Sequence, residues 1–216
     1  MLRVYEKAIN PESLTEIRTM FDNIANDVGL TEKFYINDNV LQMERITLNH
    51  RFNEMMEYYH KSFIMYNEGF EQFKDFERRV QVMFTRVHQP SAIHVDCDDE
   101  RVSKGVTSII PLTFHDNIKT VVWKNKFNTN LELTDYKNKF INEIKSFRKT
   151  NLITKEVDIS HCLKIYNLNM GEVMDLDGVA SWELGNIIVF DKIQAHCSSN
   201  FVSHIPFKDY VLFHSR

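Results

Sequence analysis

The feature that most constrains this chain is a change of hydrophobic period near residue 80. Before that point, apolar residues recur every three or four positions. Leu14, Ile17, Phe21, Ile24 and Val28 form one such stripe, opened by Asn10-Pro11 and closed by Gly29. Asparagine supplies a side-chain cap, proline suits the first helical position and glycine permits the stop, so an amphipathic helix is expected. A second stripe (Phe52, Met55, Tyr59, Phe63, Tyr66, Phe70 and Phe73) predicts another helix from near His50 to near Phe76. Residues 1–78 are therefore expected to be mostly helical.

From Val80 the pattern changes to short β-type runs. Val80–Val87 reads as a strand ended by His88-Gln89-Pro90, and Ile93–Asp96 as a short β-type segment. Val106–Leu112 and Ile118–Trp123 read as a strand pair joined by a turn at Thr113–Asn117. Leu133, Tyr136, Phe140, Ile144 and Phe147 return to helical spacing and mark an inserted helix. Leu163–Leu168, Val173–Leu176, Ile187–Asp191 and Lys208–Phe213 complete the strands. A helical head followed by short strands gives an α+β protein whose β part is a sandwich or barrel. No internal repeat or low-complexity linker divides the chain, so 1–216 is read as a single domain with its β core in 79–216.

Composition narrows the function classes. With 216 residues, 43% hydrophobic and 26% charged, the chain can bury one sizeable core. A formal net charge of −4 argues against a general nucleic-acid binder. No run is long enough to span a bilayer, and Met1–Lys7 lacks the apolar stretch of a secretory signal, so a cytoplasmic protein is expected. Cys97, Cys162 and Cys197 are odd in number and have no CxxC spacing. They are read as small buried hydrophobes rather than a disulfide framework or a zinc site.

The residues that carry chemistry are few and scattered. His94-Val95-Asp96 lies on a β-type segment, where residues two apart point to one side. His196 follows the apolar strand at Ile187–Phe190, and Lys208 lies beyond it. Two imidazoles and a carboxylate can occupy one face of an octahedral metal and leave the other face open, as in non-haem Fe(II) oxygen chemistry. In a chain with nine histidines a lone His-x-Asp arises readily by chance, so the weight rests on the set. Among the spare imidazoles His88, His204 and His214, the last is the strongest rival to His196. Arg216 competes with Lys208, and Arg86 is a candidate to face the cavity and touch a co-substrate. Asp98, Asp99 and Glu100 extend Asp96 into an acidic run that would suit Mg²⁺ or Mn²⁺ in a hydrolase. Trp123 is read as a core indole and His115-Asp116 as a surface turn.

His94, Asp96, His196 and Lys208 together resemble the signature of the Fe(II)- and 2-oxoglutarate-dependent dioxygenases. The lead-in Gly185-Asn186-Ile187-Ile188-Val189-Phe190-Asp191 and the strand Ile109-Ile110-Pro111-Leu112 are similar to that family as well, although Asn186 replaces its usual acid. The resemblance covers roughly Val80 to Phe213. It implies a double-stranded β-helix, a form of jelly roll, with N-terminal helices and one inserted helix around it. It implies Fe(II) held by His94, Asp96 and His196, and 2-oxoglutarate held by Lys208. Oxygen and an unspecified primary substrate complete the expected partners. A lysine in that role is more similar to the prolyl-hydroxylase branch than to branches using arginine. The main alternative is a cupin-like module that binds a metal or ligand without oxidation and has no need of Lys208.

Overall fold

The structure is a computed structural model that describes residues 1–27, 29–36, 39–47, 80–97, 105–147 and 174–215. Helix α1 (Pro11–Asp27) is bounded as its sequence requires. Asn10 Oδ1 accepts the Ser13 N–H at 2.8 Å, and Gly29, at φ 74°, donates its N–H to the Ile24 carbonyl. The strands are β1 (Arg3–Tyr5), β2 (Glu32–Ile36), β3 (Val40–Thr47), β4 (Val80–Val87), β5 (Val106–Pro111), β6 (Lys119–Lys126), β7 (Leu176–Ser181), β8 (Ile187–Asp191), β9 (Gln194–Ser198) and β10 (Lys208–Ser215). Helix α2 (Asn130–Phe147) is inserted between β6 and β7.

The strands form two antiparallel sheets. The large one runs β1-β8-β5-β10-β4-β3-β2 and the small one β7-β6-β9. His94 joins the small sheet beside β9 through reciprocal backbone bonds of 3.0 Å with His196. From β4 onward the chain crosses between the sheets: β4 in the large one, His94 in the small, β5 in the large, β6 and β7 in the small, then β8, β9 and β10 alternating. That winding is a double-stranded β-helix, the jelly roll that the family resemblance implies.

Strand parity sorts the side chains into three layers. Val82, Phe84, Val211 and Phe213 meet Ile17, Phe21 and Ile24 of α1 outside the large sheet. Val121, Trp123, Ala195 and Cys197 meet Leu133 of α2 outside the small sheet. Val87, Ile109, Val122, Trp182, Phe190, Tyr210 and Leu212 fill the space between the sheets.

Four expectations need correction. The described part of 1–78 is not mostly helical: β1, β2 and β3 all lie there, and β3 extends the large sheet beyond β4. β3 is half-buried almost throughout, so its sequence has no clean alternation to read. The proposed helix near His50–Phe76 and the strand Leu163–Leu168 lie outside the described residues. Second, β5 and β6 do not pair; their connection crosses from one sheet to the other. Both edges of β5 are taken, by β8 and β10. Third, His196 does follow the strand at Ile187–Asp191, but it is not at a strand end: it sits in the middle of a further strand, β9. Fourth, in the described part of the expected strand at Val173–Leu176 only Leu176 is in a strand, β7.

One buried ion cluster ties α1 to the large sheet. Asp209, wholly buried on the helix side of β10, receives Arg86 through two bonds of 2.8 and 3.0 Å and Arg18 at 3.3 Å. Arg18 also donates to the Leu112 carbonyl. Removing the carboxylate leaves two guanidiniums facing each other in a partly desolvated seam. Asp209→Ala is therefore expected to cost about 3 kcal/mol, the low end for breaking a buried pair because both arginines keep some access to water. Urea unfolding measures this, and a loss below about 1 kcal/mol would show the cluster to be dispensable.

Candidate metal centre

Two backbone interactions bring the proposed ligands together. The His94–His196 pair of hydrogen bonds sets the two histidines opposite one another, and the Asp96 N–H donates to the Lys192 carbonyl at 2.8 Å. Along β9, Ala195 and Cys197 pack toward α2, which turns Gln194, His196 and Ser198 into the space between the sheets. The imidazole centroids of His94 and His196 are 4.3 Å apart.

Each ring is oriented by its own chain. Nδ1 of His94 lies 2.8 Å from the Ala92 carbonyl, and Nδ1 of His196 lies 2.9 Å from the Gln194 carbonyl. A carbonyl only accepts, so Nδ1 carries the proton in both rings and Nε2 presents a lone pair when the ring is neutral. Both Nε2 atoms face Asp96, His94 at 3.7 Å from Oδ1 and His196 at 3.4 Å from Oδ2. The ligand atoms of His94, Asp96 and His196 all fall within 4.8 Å of one another, the one such set among the described residues. The Thr107 hydroxyl donates to Asp96 Oδ2 at 2.6 Å, the outer bond that commonly orients a metal-ligating carboxylate. The donor set suits a divalent transition metal.

The electrostatics agree with this. Burial alone raises a carboxyl, but the imidazoles of His196 and His214 outweigh it and hold Asp96 well below the usual range. Burial lowers His196, and the Asp96 carboxylate more than restores it, leaving it raised. Desolvation of its ring nitrogens, reinforced by His196, lowers His94 to about 4. The His94 side chain nonetheless keeps 37% of its surface exposed, against 7% for His196, so His94 marks the open side of the site.

His214 is not part of the ligand set. It projects from β10 opposite Thr107, and its buried Nε2 lies 3.5 Å from Asp96 Oδ2 with no hydrogen-bond partner. It backs the carboxylate with a third imidazole rather than replacing His196. Thr107 escaped the sequence reading because a threonine in Val106-Thr107-Ser108-Ile109-Ile110 looks like ordinary strand composition. His88 is held by Glu44 at 2.8 Å, and His204 stacks on His115. Arg216, Asp98, Asp99, Glu100 and Cys162 lie outside the described residues. Cys97 and Cys197 are buried.

Lys208 enters the same inter-sheet space and is 1% exposed. Its Nζ donates to Ser198 Oγ at 2.8 Å and sits 3.7 Å from the centre of the Trp182 ring. Phe201 and Tyr210 lie 5.2 and 5.8 Å away. Among the described residues no carboxylate pairs with it, and burial lowers the amine to about 7. Burial and the charge of Asp96 both push the Tyr210 phenol up. Arg86 does not share this space. It projects to the other face of the large sheet, toward Phe21 and Asp209, because its position on β4 has the parity of Phe84. The expectation that Arg86 faces the cavity is corrected accordingly. Asn186, where the resembled family carries an acid, accepts the Lys7 N–H at 2.9 Å.

No protein-family model matches this sequence, and no curated protein matches it. Solved structures match in fold. The non-haem alpha-ketoglutarate-dependent carbocyclase SnoK of nogalamycin biosynthesis superposes with a TM-score of 0.61 at 9% identity, over 99% of this chain and 79% of its own. The epimerase SnoN of the same biosynthesis gives 0.59 at 9% identity, over 100% and 77%, and has also been solved with Fe³⁺ and alpha-ketoglutarate. A prolyl-4-hydroxylase of Pseudomonas putida gives 0.55 at 7% identity, over 100% and 91%. At such identities the likeness is one of fold.

Two outcomes follow for the metal centre. Thr107→Val is expected to weaken Mn²⁺ binding about 10- to 100-fold in calorimetric titration, the range for losing an outer-sphere bond. Because the raised His196 must lose its proton to offer Nε2, metal binding should release protons near neutrality and weaken as pH falls. Affinity that is flat across that range would remove His196 from the ligands.

Proposed function

We propose that this protein is an Fe(II)- and 2-oxoglutarate-dependent oxygenase that hydroxylates a C–H bond of a primary substrate. The observation that carries the reading is Lys208: a buried ammonium with no carboxylate partner among the described residues, in the space that also holds His94, Asp96 and His196. A buried cation is costly unless an anion compensates it, so this pocket is suited to an anionic ligand. Fold likeness to alpha-ketoglutarate-dependent enzymes supports the same assignment.

His94 and His196 would hold the metal through Nε2, each kept in the required tautomer by a backbone carbonyl. Asp96 would supply the anionic ligand, with Thr107 occupying its Oδ2. Fe(II), when bound, supplies the redox chemistry by which O₂ converts 2-oxoglutarate to succinate and CO₂ while a C–H bond becomes C–OH. Lys208 would pair with the distal carboxylate of 2-oxoglutarate, assisted by the Ser198 hydroxyl. Trp182 and Phe201 wall this end of the space and exclude water, which strengthens the pair. A cupin-like binding module accounts for the His-Asp-His set but gives no reason for Lys208 to be buried.

The test couples binding to proton uptake. At pH 8 an amine lowered to about 7 is mostly neutral, and a bound carboxylate restores its ordinary charged state. Binding of 2-oxoglutarate to the Mn²⁺-loaded protein should take up about one proton, read by calorimetry in buffers of different ionisation enthalpy. Lys208→Met should abolish that uptake and weaken 2-oxoglutarate about 10- to 100-fold while leaving Mn²⁺ binding intact. His196→Ala should abolish succinate formation. An unchanged 2-oxoglutarate affinity in Lys208→Met would sink the proposal.

A further inference from the structure

Among the described residues, the segment bearing His94 and Asp96 is an edge. His94 turns its N–H and carbonyl toward β9, so by strand alternation Val95 turns its own to the opposite side. No strand lies there among the described residues. The side chain of Asn130, the first residue of α2, fills the position instead. Its Oδ1 accepts the Val95 N–H at 3.0 Å and its Nδ2 donates to the Val95 carbonyl at 2.9 Å. A carboxamide has the same donor and acceptor pair as a peptide, so Asn130 takes the place of a neighbouring strand. The same helix face continues the contact: Leu133 packs with Ile93 and Val95, and Lys137 Nζ donates to the Ile93 carbonyl at 2.7 Å.

This is not a helix cap put to incidental use. The start of α2 is already secured by Thr129 Oγ1, which accepts the Glu132 N–H, and by the Glu132 carboxylate, which accepts the Asn128 N–H. We propose that Asn130 is a positioning residue for the metal centre: by clamping the peptide of Val95 it fixes the separation and orientation of His94 and Asp96. The inserted helix thereby governs metal affinity without contributing a ligand. This rests on the reading of His94, Asp96 and His196 as metal ligands.

The test is Co²⁺ titration of the full chain, followed by calorimetry and by ligand-field absorption, in the wild type and in Asn130→Ala, Asn130→Asp and Leu133→Ala. Asn130→Ala is expected to weaken Co²⁺ about 10-fold or more and to change the absorption envelope, as loss of ligand orientation does. Asn130→Asp keeps an acceptor for the Val95 N–H but loses the donor, so it should fall between, and it carries the test if the alanine variant does not fold. Leu133→Ala removes buried packing from the same helix; it should lower the melting temperature yet keep affinity within about twofold. Wild-type affinity and spectrum in both Asn130 variants would overturn the inference, as would an equal loss of affinity in Leu133→Ala. If the wild type itself binds no Co²⁺, the metal assignment fails and takes this inference with it.

Discussion

The reciprocal hydrogen bonds between His94 and His196 are the interaction on which the site depends. A single backbone pair adds the segment around His94 to the small sheet and thereby completes the winding of the β-helix. Because paired residues on antiparallel strands stand opposite each other, the same bonds place two imidazoles 4.3 Å apart. The alternation of the strand then carries Asp96 to the same side as His94. Fold closure and ligand convergence are one event. Two neighbours hold the segment: Lys192 through the Asp96 N–H, and Asn130 from the edge that no strand covers among the described residues.

Lys208 and Asp209 show how one strand separates structural from functional charge. They are consecutive and both buried, so they point to opposite faces of the large sheet. Asp209 is neutralised by Arg18 and Arg86 and ties α1 to the sheet. Among the described residues, Lys208 meets a hydroxyl and aromatic faces. A cation–π contact and one neutral hydrogen bond do not replace the lost hydration of an ammonium, which is why the amine is pushed down to about 7. The first charge is satisfied by the fold, and the second has no opposite charge beside it among the described residues.

The sequence was most legible where local chemistry and burial agreed. The Asn10 cap and Gly29 stop framed α1 because capping is a local property, and the apolar run Ile187–Phe190 marked β8 because it is buried on both faces. It was least legible where a strand is short or half-exposed. β3 is half-buried almost throughout, β2 alternates in burial but reads Glu32-Lys33-Phe34-Tyr35-Ile36 with no apolar–polar alternation in its sequence, and β9 reads Gln194-Ala195-His196-Cys197-Ser198, with no β-branched residue to announce it. β5 and β6 looked like a hairpin because a turn of suitable length joins them; sheet membership is decided by which edges are occupied, and that is a property of the whole fold.

By itself the sequence determined which residues have the chemistry for the site: His94, Asp96, His196 and Lys208, in an order and spacing that resemble a known oxygenase signature. It also determined the helical and β-type segments that carry most of them. Only the tertiary structure decided which of the competing side chains meet. It turned Arg86 toward Asp209, set His214 behind the carboxylate rather than in the ligand set, and brought Thr107 onto Asp96. The physical reason is that strand spacing fixes which residues share a face, while cross-strand register fixes which faces oppose. Register arises from pairings between segments about a hundred residues apart, which no local pattern encodes.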